Sequence, residues 1–501
     1  MIHSFYRPKL HQLLTKTSAK NHHLGIKMHI NNIRFNLPRA VAIIMQILES
    51  HKFEACIVGG CVRDIVLGVI TNRDLHPNDW DIASNARPQE VMQIFGNNKL
   101  FSVIPVGIEH GTVGVLPHFS SYKKPIEITT YRVDGKYSDS RRPDKVNFSL
   151  SLKEDLARRD FCINAMACSL VKHQFDSIRL LEMKDEYIIC NMQIHDYYNG
   201  LESLKQKKIA CVGNPSLRFE EDSLRIMRAL RFSATLEPRF LIETSTDLAL
   251  RKLKNKLNLI SKERIQTEFN KLLLGNYSTP VLIEYKEIIE IIAPQILELN
   301  DSQYEINMKS IQTISEFQES IQLRLSLFLH GIEREKVLGF LRNLKYDNKT
   351  IKILDSMVTL HEKYGIIESP LSRLEIKKIL YKFGIDIFSL YVEKNLAMAK
   401  ILDSKNLTES ILHTNAIYKD IVEKKECYKL SQLSINGKDV INILQKRGIK
   451  CGKMVGEILE STLNFAMEEN LRYTDSIKER LTQQAETLAE QAQHGFFSTK
   501  D

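Results

Sequence analysis

An Asp-x-Asp pair, Asp79 and Asp81 around Trp80, closes a stretch that opens with Gly59 and Gly60 and carries Arg63-Asp64 in between. On an extended segment, residues two apart project from one face, so both carboxylates would stand together. Two carboxylates on one face suit Mg²⁺, which takes oxygen ligands and usually keeps water and substrate phosphate in its shell. The glycines lack Cβ, which lets backbone approach a triphosphate closely. A helix starting behind them would offer free N–H groups and the positive end of its dipole to the same phosphates. Taken singly, a Gly-Gly pair is usually a turn and an Asp-x-Asp usually a solvated loop. The order Ile57-Val-Gly-Gly-Cys-Val-Arg-Asp-Ile-Val-Leu-Gly68, then Asn78-Asp-Trp-Asp-Ile-Ala-Ser84, is far more specific than either part.

Three later segments carry further charges. Ile126-Glu-Ile-Thr-Thr-Tyr-Arg132 puts Glu127 in a β-type run, where spacing alone reads as a solvent-facing residue. Glu154-Asp-Leu-Ala-Arg-Arg-Asp-Phe-Cys-Ile-Asn-Ala-Met166 contains Arg159, Asp160 and Asn164. A guanidinium suits phosphate because its planar fork meets two oxygens at once. Arg218-Phe-Glu-Glu-Asp-Ser-Leu-Arg-Ile-Met-Arg-Ala-Leu-Arg-Phe232 has an apolar face of Leu224, Ile226, Met227 and Leu230. Asp222 and Arg225 lie three apart there, neighbours on a helix. Without context such a pair is a surface ion pair of small worth.

Together these segments resemble the class II nucleotidyltransferases, which comprise CCA-adding tRNA nucleotidyltransferases and bacterial poly(A) polymerases. The resemblance is strong over 55–275 and weaker beyond. It implies that Asp79 and Asp81 hold Mg²⁺ and that Glu127 is a third catalytic carboxylate. It makes Gly59, Gly60, Arg63, Arg159, Asp160 and Asn164 nucleotide-binding, with Asp160 and Asn164 orienting Arg159 and the nucleotide sugar. Cys162 stands where the family usually has Thr. Asp222 and Arg225 match the Glu-Asp-x-x-Arg motif that reads the Watson–Crick edge of the incoming base, and Arg228 and Arg231 extend a basic stripe toward the triphosphate. Cytosine and adenine each present an amino donor beside a ring acceptor, which a carboxylate and a guanidinium complement. Asp196-Tyr-Tyr-Asn-Gly200, Lys208–Pro215 and Ser261–Phe269 also look like the family's linker and neck segments.

The implied activity is addition of CCA to the 3′ end of tRNA from CTP and ATP with release of pyrophosphate. The alternative is a poly(A) polymerase or a partial CC- or A-adding enzyme. Pro105–Leu116 lacks the basic pair of poly(A) polymerases and resembles the His-Gly-Thr-Val segment of CCA-adding enzymes. The polar loop 134–144 resembles the flexible loop of full CCA-adding enzymes. A non-catalytic RNA-binding protein is the reading from another class. His330, followed by Gly331 where a phosphohydrolase would need Asp, reads as packing.

These motifs require an α/β nucleotidyltransferase head followed by elongated all-helical neck, body and tail domains. Residues 38–52 have helical apolar spacing. A strand is expected at Ala55–Val58, a helix over about Val62–Leu67, and strands at Phe101–Ile104, Gly111–Leu116 and Ile126–Tyr131, rich in Val, Ile and Thr. The expected boundaries are a basic extension 1–29, a head 30–170, a neck 171–275, a body 276–380 and a tRNA-binding tail 381–501. In the tail, Ile435-Asn-Gly-Lys-Asp439 and Gly452–Leu459 resemble the RNA-contacting region of longer CCA enzymes. The irregular stretch 172–194 is longer than the family usually has and holds a strand-like Tyr187–Cys190.

Composition sets the outer limits. The 501 residues are 43% hydrophobic and 26% charged, ordinary values for a soluble globular chain of two to four domains. No apolar run reaches the ~18 residues that would span a bilayer, so no membrane partner is expected. Eight cysteines without C-x-x-C spacing fit a reducing compartment. Of the net +9 charge, +7 falls in residues 1–48, which have no acid before Glu49. The rest is nearly neutral, so RNA would be met by local patches rather than a global field. The basic, acid-free N-terminus reads as an upstream extension of a cytoplasmic protein, with a mitochondrial targeting segment as the alternative. Sequence leaves the oligomeric state open.

Overall fold

A computed structural model describes residues 32–73, 75, 77, 79–134, 146–171, 185–314, 317–473 and 478–493. The extension 1–29, Asn78, the loop 134–144 beyond its first residue, and positions 172–184 of the long stretch lie outside the described residues. The chain divides into two units: a head that runs to Gln206 and takes in Ala210–Asn214, and a second unit of Lys207–Ile209 with everything from Pro215 onward.

The head is built on an eight-stranded sheet. Its strands are β1 (Asn32–Pro38), β2 (Ala55–Val58), β3 (Asp81–Ser84), β4 (Phe101–Gly107), β5 (Thr112–Pro117), β6 (Ile126–Thr130), β9 (Met166–Leu170) and β10 (Tyr187–Asp196), in the order β1-β10-β9-β2-β3-β6-β5-β4. Two short strands, β7 (Arg132–Asp134) and β8 (Val146–Phe148), pair separately. Among the described strands of the large sheet, β3 and β6 alone run parallel. Their crossover passes through helix α3 (Pro88–Gly96) and the β4–β5 hairpin. Helices α1 (Arg39–Ser50), α2 (Gly60–Thr71), α4 (Leu152–Ala157) and α5 (Gly200–Gln206) complete the head. Ile57, Ile82, Val113, Val115 and Ile128 are fully buried and form the centre of the sheet. β-Branched side chains suit these positions because their restricted χ1 packs well on a pleated surface.

Three local details fix the loops that matter. Gly59, at φ +80°, turns the chain from β2 into α2 in a region that L side chains rarely adopt. Trp80 is buried while its neighbours Asp79 and Asp81 are exposed, so the indole anchors the segment and turns both carboxylates outward. Asp196 accepts the N–H groups of Tyr198, Gly200 and Leu201 at 3.3, 2.8 and 2.9 Å, capping α5. At Gly200 a Cβ would fall 2.5 Å from the Cys162 carbonyl oxygen, so this turn has room only for glycine.

The structure corrects several expected boundaries. The second helix extends from Gly60 to Thr71 rather than Val62 to Leu67, and ends on Asn72 at φ 53°. Asp79 precedes the strand that begins at Asp81, so only one of the two aspartates lies on β3. Asn32–Pro38 is an edge strand not expected from the sequence, and Tyr187–Cys190 continues to Asp196 to pair with it.

The second unit begins with β11 (Lys208–Ile209), α6 (Pro215–Glu221), α7 (Leu224–Thr235), β12 (Leu241–Ile242), α8 (Thr244–Leu253) and α9 (Lys262–Leu273), with β11 and β12 paired in parallel. Helix α9 packs along α7. Leu224, Ile226, Met227 and Leu230 are buried as the helical spacing requires. Phe269 of α9 meets Phe328 edge-on at 5.2 Å, joining α9 to the helices that follow. From Ser278 to Gln493 the described regular structure is helical.

Candidate active site

Asp81 stands opposite Glu127 in the parallel β3–β6 register and opposite Val58 of β2. Directly opposed residues share a sheet face, so Asp81 and Glu127 do as well. The Asp81 side chain is open to solvent by area, yet protein atoms around it remove enough water to raise its pKa. Desolvation, then Glu127 and Asp79, push it up to about 6, with Arg159 pulling the other way. Asp79 accepts a bond of 2.7 Å from Lys124, and both side chains are largely exposed. Tyr122, from the same β5–β6 connection, is pushed up to about 12 by burial and then by Asp79 and Asp81. Lys124 and Tyr122 carried no sequence signal.

The phosphate-binding side is assembled around Gly59. A Cβ on Gly59 would lie 3.0 Å from Arg159 Nη1 and 4.0 Å from Asp81 Oδ2, so arginine, glycine and carboxylate converge on one point. Arg159 Nη2 reaches Asp155 Oδ2 at 3.4 Å, and its buried Nε has no partner among the described residues. Asp155 is fully buried and also takes Arg158 Nη2 at 2.8 Å. Burial disfavours its charge, but Arg158 and Arg159 outweigh this and hold it below the ordinary Asp range. Asp155 is therefore the residue that aims Arg159. Its i,i+3 and i,i+4 spacing to the two arginines is the sequence signal for this role.

Asp160 braces the turn that follows it. Its carboxylate accepts the Phe161 N–H at 2.8 Å and Asn164 Nδ2 at 3.2 Å. Asn164 Oδ1 in turn accepts from Arg63 Nη1 at 2.9 Å, and Arg63 also pairs with Asp64 at 2.8 Å. Asp160 and Asn164 thus tie Arg63 to the β9 side of the head. Cys162 is buried and its thiol donates to the Cys211 carbonyl, so the departure from Thr keeps a hydrogen-bond donor at this position.

In the second unit Asp222 and Arg225 each hold a charged partner from elsewhere in the neck. Helix α7 starts at Leu224, and Asp222 lies in the break after α6 rather than on a helix face. Its Oδ1 accepts the Leu224 N–H at 3.1 Å and its Oδ2 takes Arg264 Nη2 at 2.7 Å. Arg225 is buried and its Nη1 binds Glu221 Oε2 at 2.8 Å and the Arg218 carbonyl at 3.1 Å. Arg228 and Arg231 both face the buried Glu268 of α9, at 3.6 and 2.8 Å, and Arg231 lies 3.9 Å over the Phe232 ring. Glu221, Arg264 and Glu268 were not singled out, although two of them sit in the Ser261–Phe269 segment.

Comparison with known proteins covers nearly the whole chain. Residues 55–210 match the Poly A polymerase head domain, 239–298 the "Probable RNA and SrmB- binding site of polymerase A", and 315–477 a tRNA nucleotidyltransferase domain 2. The CCA-adding enzyme of Ligilactobacillus salivarius is 35% identical over 469 residues, 93% of this chain and 100% of that one. That of Lactococcus lactis subsp. lactis is 35% identical over 434 residues, 86% of this chain and 94% of its own. The chain belongs to the CCA-adding enzyme family. The crystal structure of the Bacillus stearothermophilus CCA-adding enzyme in complex with CTP superposes with a TM-score of 0.63 at 27% identity, covering 90% of this chain and 98% of that one.

CCA-adding enzymes are nucleotidyltransferases, a family that uses a divalent metal. The head of this member fits such an ion. Its donors are carboxylate oxygens, and Asp81, raised first by desolvation and then by the charges of Glu127 and Asp79, sits where a cation would offset crowded negative charge. Among the described residues no three His, Cys, Asp or Glu side chains form a ready-made cluster. Mg²⁺ does not require one, since it is commonly held by one or two carboxylates plus substrate phosphate. Among the described residues no helix is long and apolar enough to cross a membrane. His330 is buried against His361 at 4.6 Å, and burial, then Lys394 and His361, push it down to about 2. It is a neutral residue of the helical core.

Proposed function

We propose that this CCA-adding enzyme carries out its reaction with Asp79, Asp81 and Glu127 as the catalytic carboxylates and Asp79 and Asp81 as the Mg²⁺ ligands. Its substrates are a tRNA 3′ end, CTP and ATP. The observation that carries the reading is the convergence of Asp81, Gly59 and Arg159, with Glu127 opposite Asp81 on the neighbouring strand. Glycine at 59 keeps the backbone open to the triphosphate. Arg159, aimed by Asp155 and with an unused Nε–H, donates to phosphate oxygens. Gly60, Arg63, Asp160 and Asn164 form the frame behind it. When bound, the metal supplies positive charge to the triphosphate and makes the 3′-hydroxyl easier to deprotonate.

The 3′-oxygen forms a bond to the α-phosphorus, the bond to the bridging oxygen breaks, and pyrophosphate leaves with that electron pair. The hydroxyl proton passes to solvent. In this reading Asp222 accepts the amino group of cytosine or adenine and Arg225 takes part in reading the ring acceptor, while Glu268 holds Arg228 and Arg231 beside them. A cytoplasmic site of action belongs to the same proposal, supported by bacterial relatives and by eight cysteines none of which is in a disulfide among the described residues. Purified protein with Mg²⁺ and a tRNA transcript lacking CCA provides the test. CTP alone should add two residues, and CTP with ATP should add three and stop. Long tails from ATP alone would mean a poly(A) polymerase, and arrest after two cytidines a partial enzyme.

A further inference from the structure

We infer that the cleft between the β5–β6 connection and the start of β10 binds the unpaired 3′ nucleotide of the tRNA, with Tyr122 and Tyr187 as stacking partners and Lys123 and Lys124 as phosphate contacts. The inference rests on the proposal that Asp79 and Asp81 carry the reaction, and it adds where the RNA end lies beside them. The cleft has a volume of about 350 Å³, and Ser121, Tyr122, Lys123, Lys124, Glu186 and Tyr187 line it. That is close to the lower limit of about 300 Å³ for small-ligand sites and suits one nucleotide.

The walls are fixed by hydrogen bonds. Glu186 accepts Ser120 Oγ at 2.9 Å and the Ser121 N–H at 3.0 Å, which pins the β5–β6 connection to the start of β10. The Ser121 N–H first, then Ser120 and Arg39, hold the Glu186 carboxyl below the ordinary Glu range. Both of its oxygens are thus turned to the protein. A hydrogen bond with the Trp80 backbone ties the Tyr122 phenol to the Asp79–Asp81 segment. Tyr187 opposes Pro38 in the β1–β10 register and is 53% exposed, so its ring is open to a base. Aromatic rings accept any unpaired base, because every base has a π-face. Lys123 is exposed, and Lys124 reaches Asp79 Oδ1 at 2.7 Å. The cleft therefore adjoins the carboxylates at Asp79, whereas Gly59 and Arg159 converge on Asp81. In-line displacement separates the attacking hydroxyl from the departing pyrophosphate. With the triphosphate at Gly59 and Arg159, the Tyr122–Lys124 flank receives the 3′-hydroxyl. Local lysines of this kind are what a nearly neutral chain offers an RNA backbone.

A tRNA transcript that lacks CCA and ends in an unpaired 2-aminopurine, whose fluorescence falls on stacking, tests this with the full chain. Wild type should quench the probe on binding, without CTP or Mg²⁺. Tyr187→Ala should remove most of the quenching. In CMP addition to the unlabelled transcript it should raise the tRNA KM by about tenfold, the value of one lost base stack, and leave the KM for CTP unmoved. Tyr187→Phe keeps the ring and should restore both. Lys123→Gln should weaken tRNA binding and reduce its slope against log salt by about one. Unchanged quenching in Tyr187→Ala overturns the inference, and so does a rise confined to the KM for CTP, which would make the cleft a nucleotide site. Should Tyr187→Ala not fold, Lys123→Gln carries the test, and an unchanged salt slope overturns the inference. The proposal for the carboxylates fails separately, through normal incorporation by Asp79→Ala, because quenching is read without catalysis.

Discussion

Asp81 and Glu127 occupy one register position on neighbouring parallel strands, two carboxylates on one face at the centre of the head. Burial and this proximity hold Asp81 near 6, above the ordinary Asp value of 3.8. The native chain therefore binds this proton more tightly than the unfolded chain. Its contribution to stability is complete below pH 3.8 and is lost as pH rises through about 6. Asp81→Asn removes that loss. In EDTA at pH 7.5 the variant should be more stable than wild type by about 1 kcal/mol, a figure reduced for the solvent that reaches this side chain. The difference should shrink toward pH 3.5, and urea unfolding at the two pH values measures it. An equal difference at both would show that Asp81 carries no such penalty.

Gly59→Ala should weaken nucleotide binding and stability together. The site has φ +80°, and the new methyl would press on Arg159 Nη1 at 3.0 Å. Left-handed backbone alone costs an L residue about 1–2 kcal/mol. The expected result is a raised KM for both CTP and ATP with a lower unfolding midpoint. A normal KM would mean that this turn does not face the triphosphate.

Asp155→Asn should release both arginines. Removing one partner of a buried ion pair costs about 3 kcal/mol. Because Arg158 and Arg159 hold the folded Asp155 below its ordinary range despite burial, its contribution is present above that range and is lost as pH falls through the depressed value. Denaturation curves should therefore separate wild type from variant clearly at pH 7 and bring them together in acid. The KM for both nucleotides should rise as Arg159 loses its guide. A variant with wild-type KM would make Asp155 a purely structural anchor.

How far the sequence carried the reading depended on how local each feature is. Gly59, Gly60, Asp79 and Asp81 were legible because a turn and an adjacent carboxylate pair need only neighbouring residues. The shared face of Asp81 and Glu127 was not, since it comes from strand pairing across a crossover. Edge strand β1 escaped for the same reason: Asn32 finds its partner at Gln193. Helical spacing placed Asp222 and Arg225 on one helix, whereas the helix begins at Leu224. The ion pair of Asp222 with Arg264, 42 residues away, was not legible because it depends on α9 packing on α7.

Asp222→Ala should admit UTP and GTP while leaving the head carboxylates unaffected. The expected loss of discrimination is about ten- to a hundredfold, from a charged hydrogen bond of about 1.5–3 kcal/mol. Arg225→Ala should weaken CTP and ATP alike, and misincorporation assays with each nucleotide singly would show both effects. Equal loss of all incorporation in Asp222→Ala would make the residue a helix-start cap and ion-pair anchor instead.

The central claim is that Asp79 and Asp81 carry the chemistry of CCA addition. Its most direct test is single-turnover incorporation of CMP into a tRNA transcript lacking CCA, comparing wild type with Asp79→Ala at saturating CTP and Mg²⁺. The variant should bind tRNA normally and lose at least about three orders of magnitude in rate, as expected when metal-based charge stabilisation is removed. Incorporation at a near-normal rate would contradict the assignment and move the catalytic carboxylates elsewhere in the head.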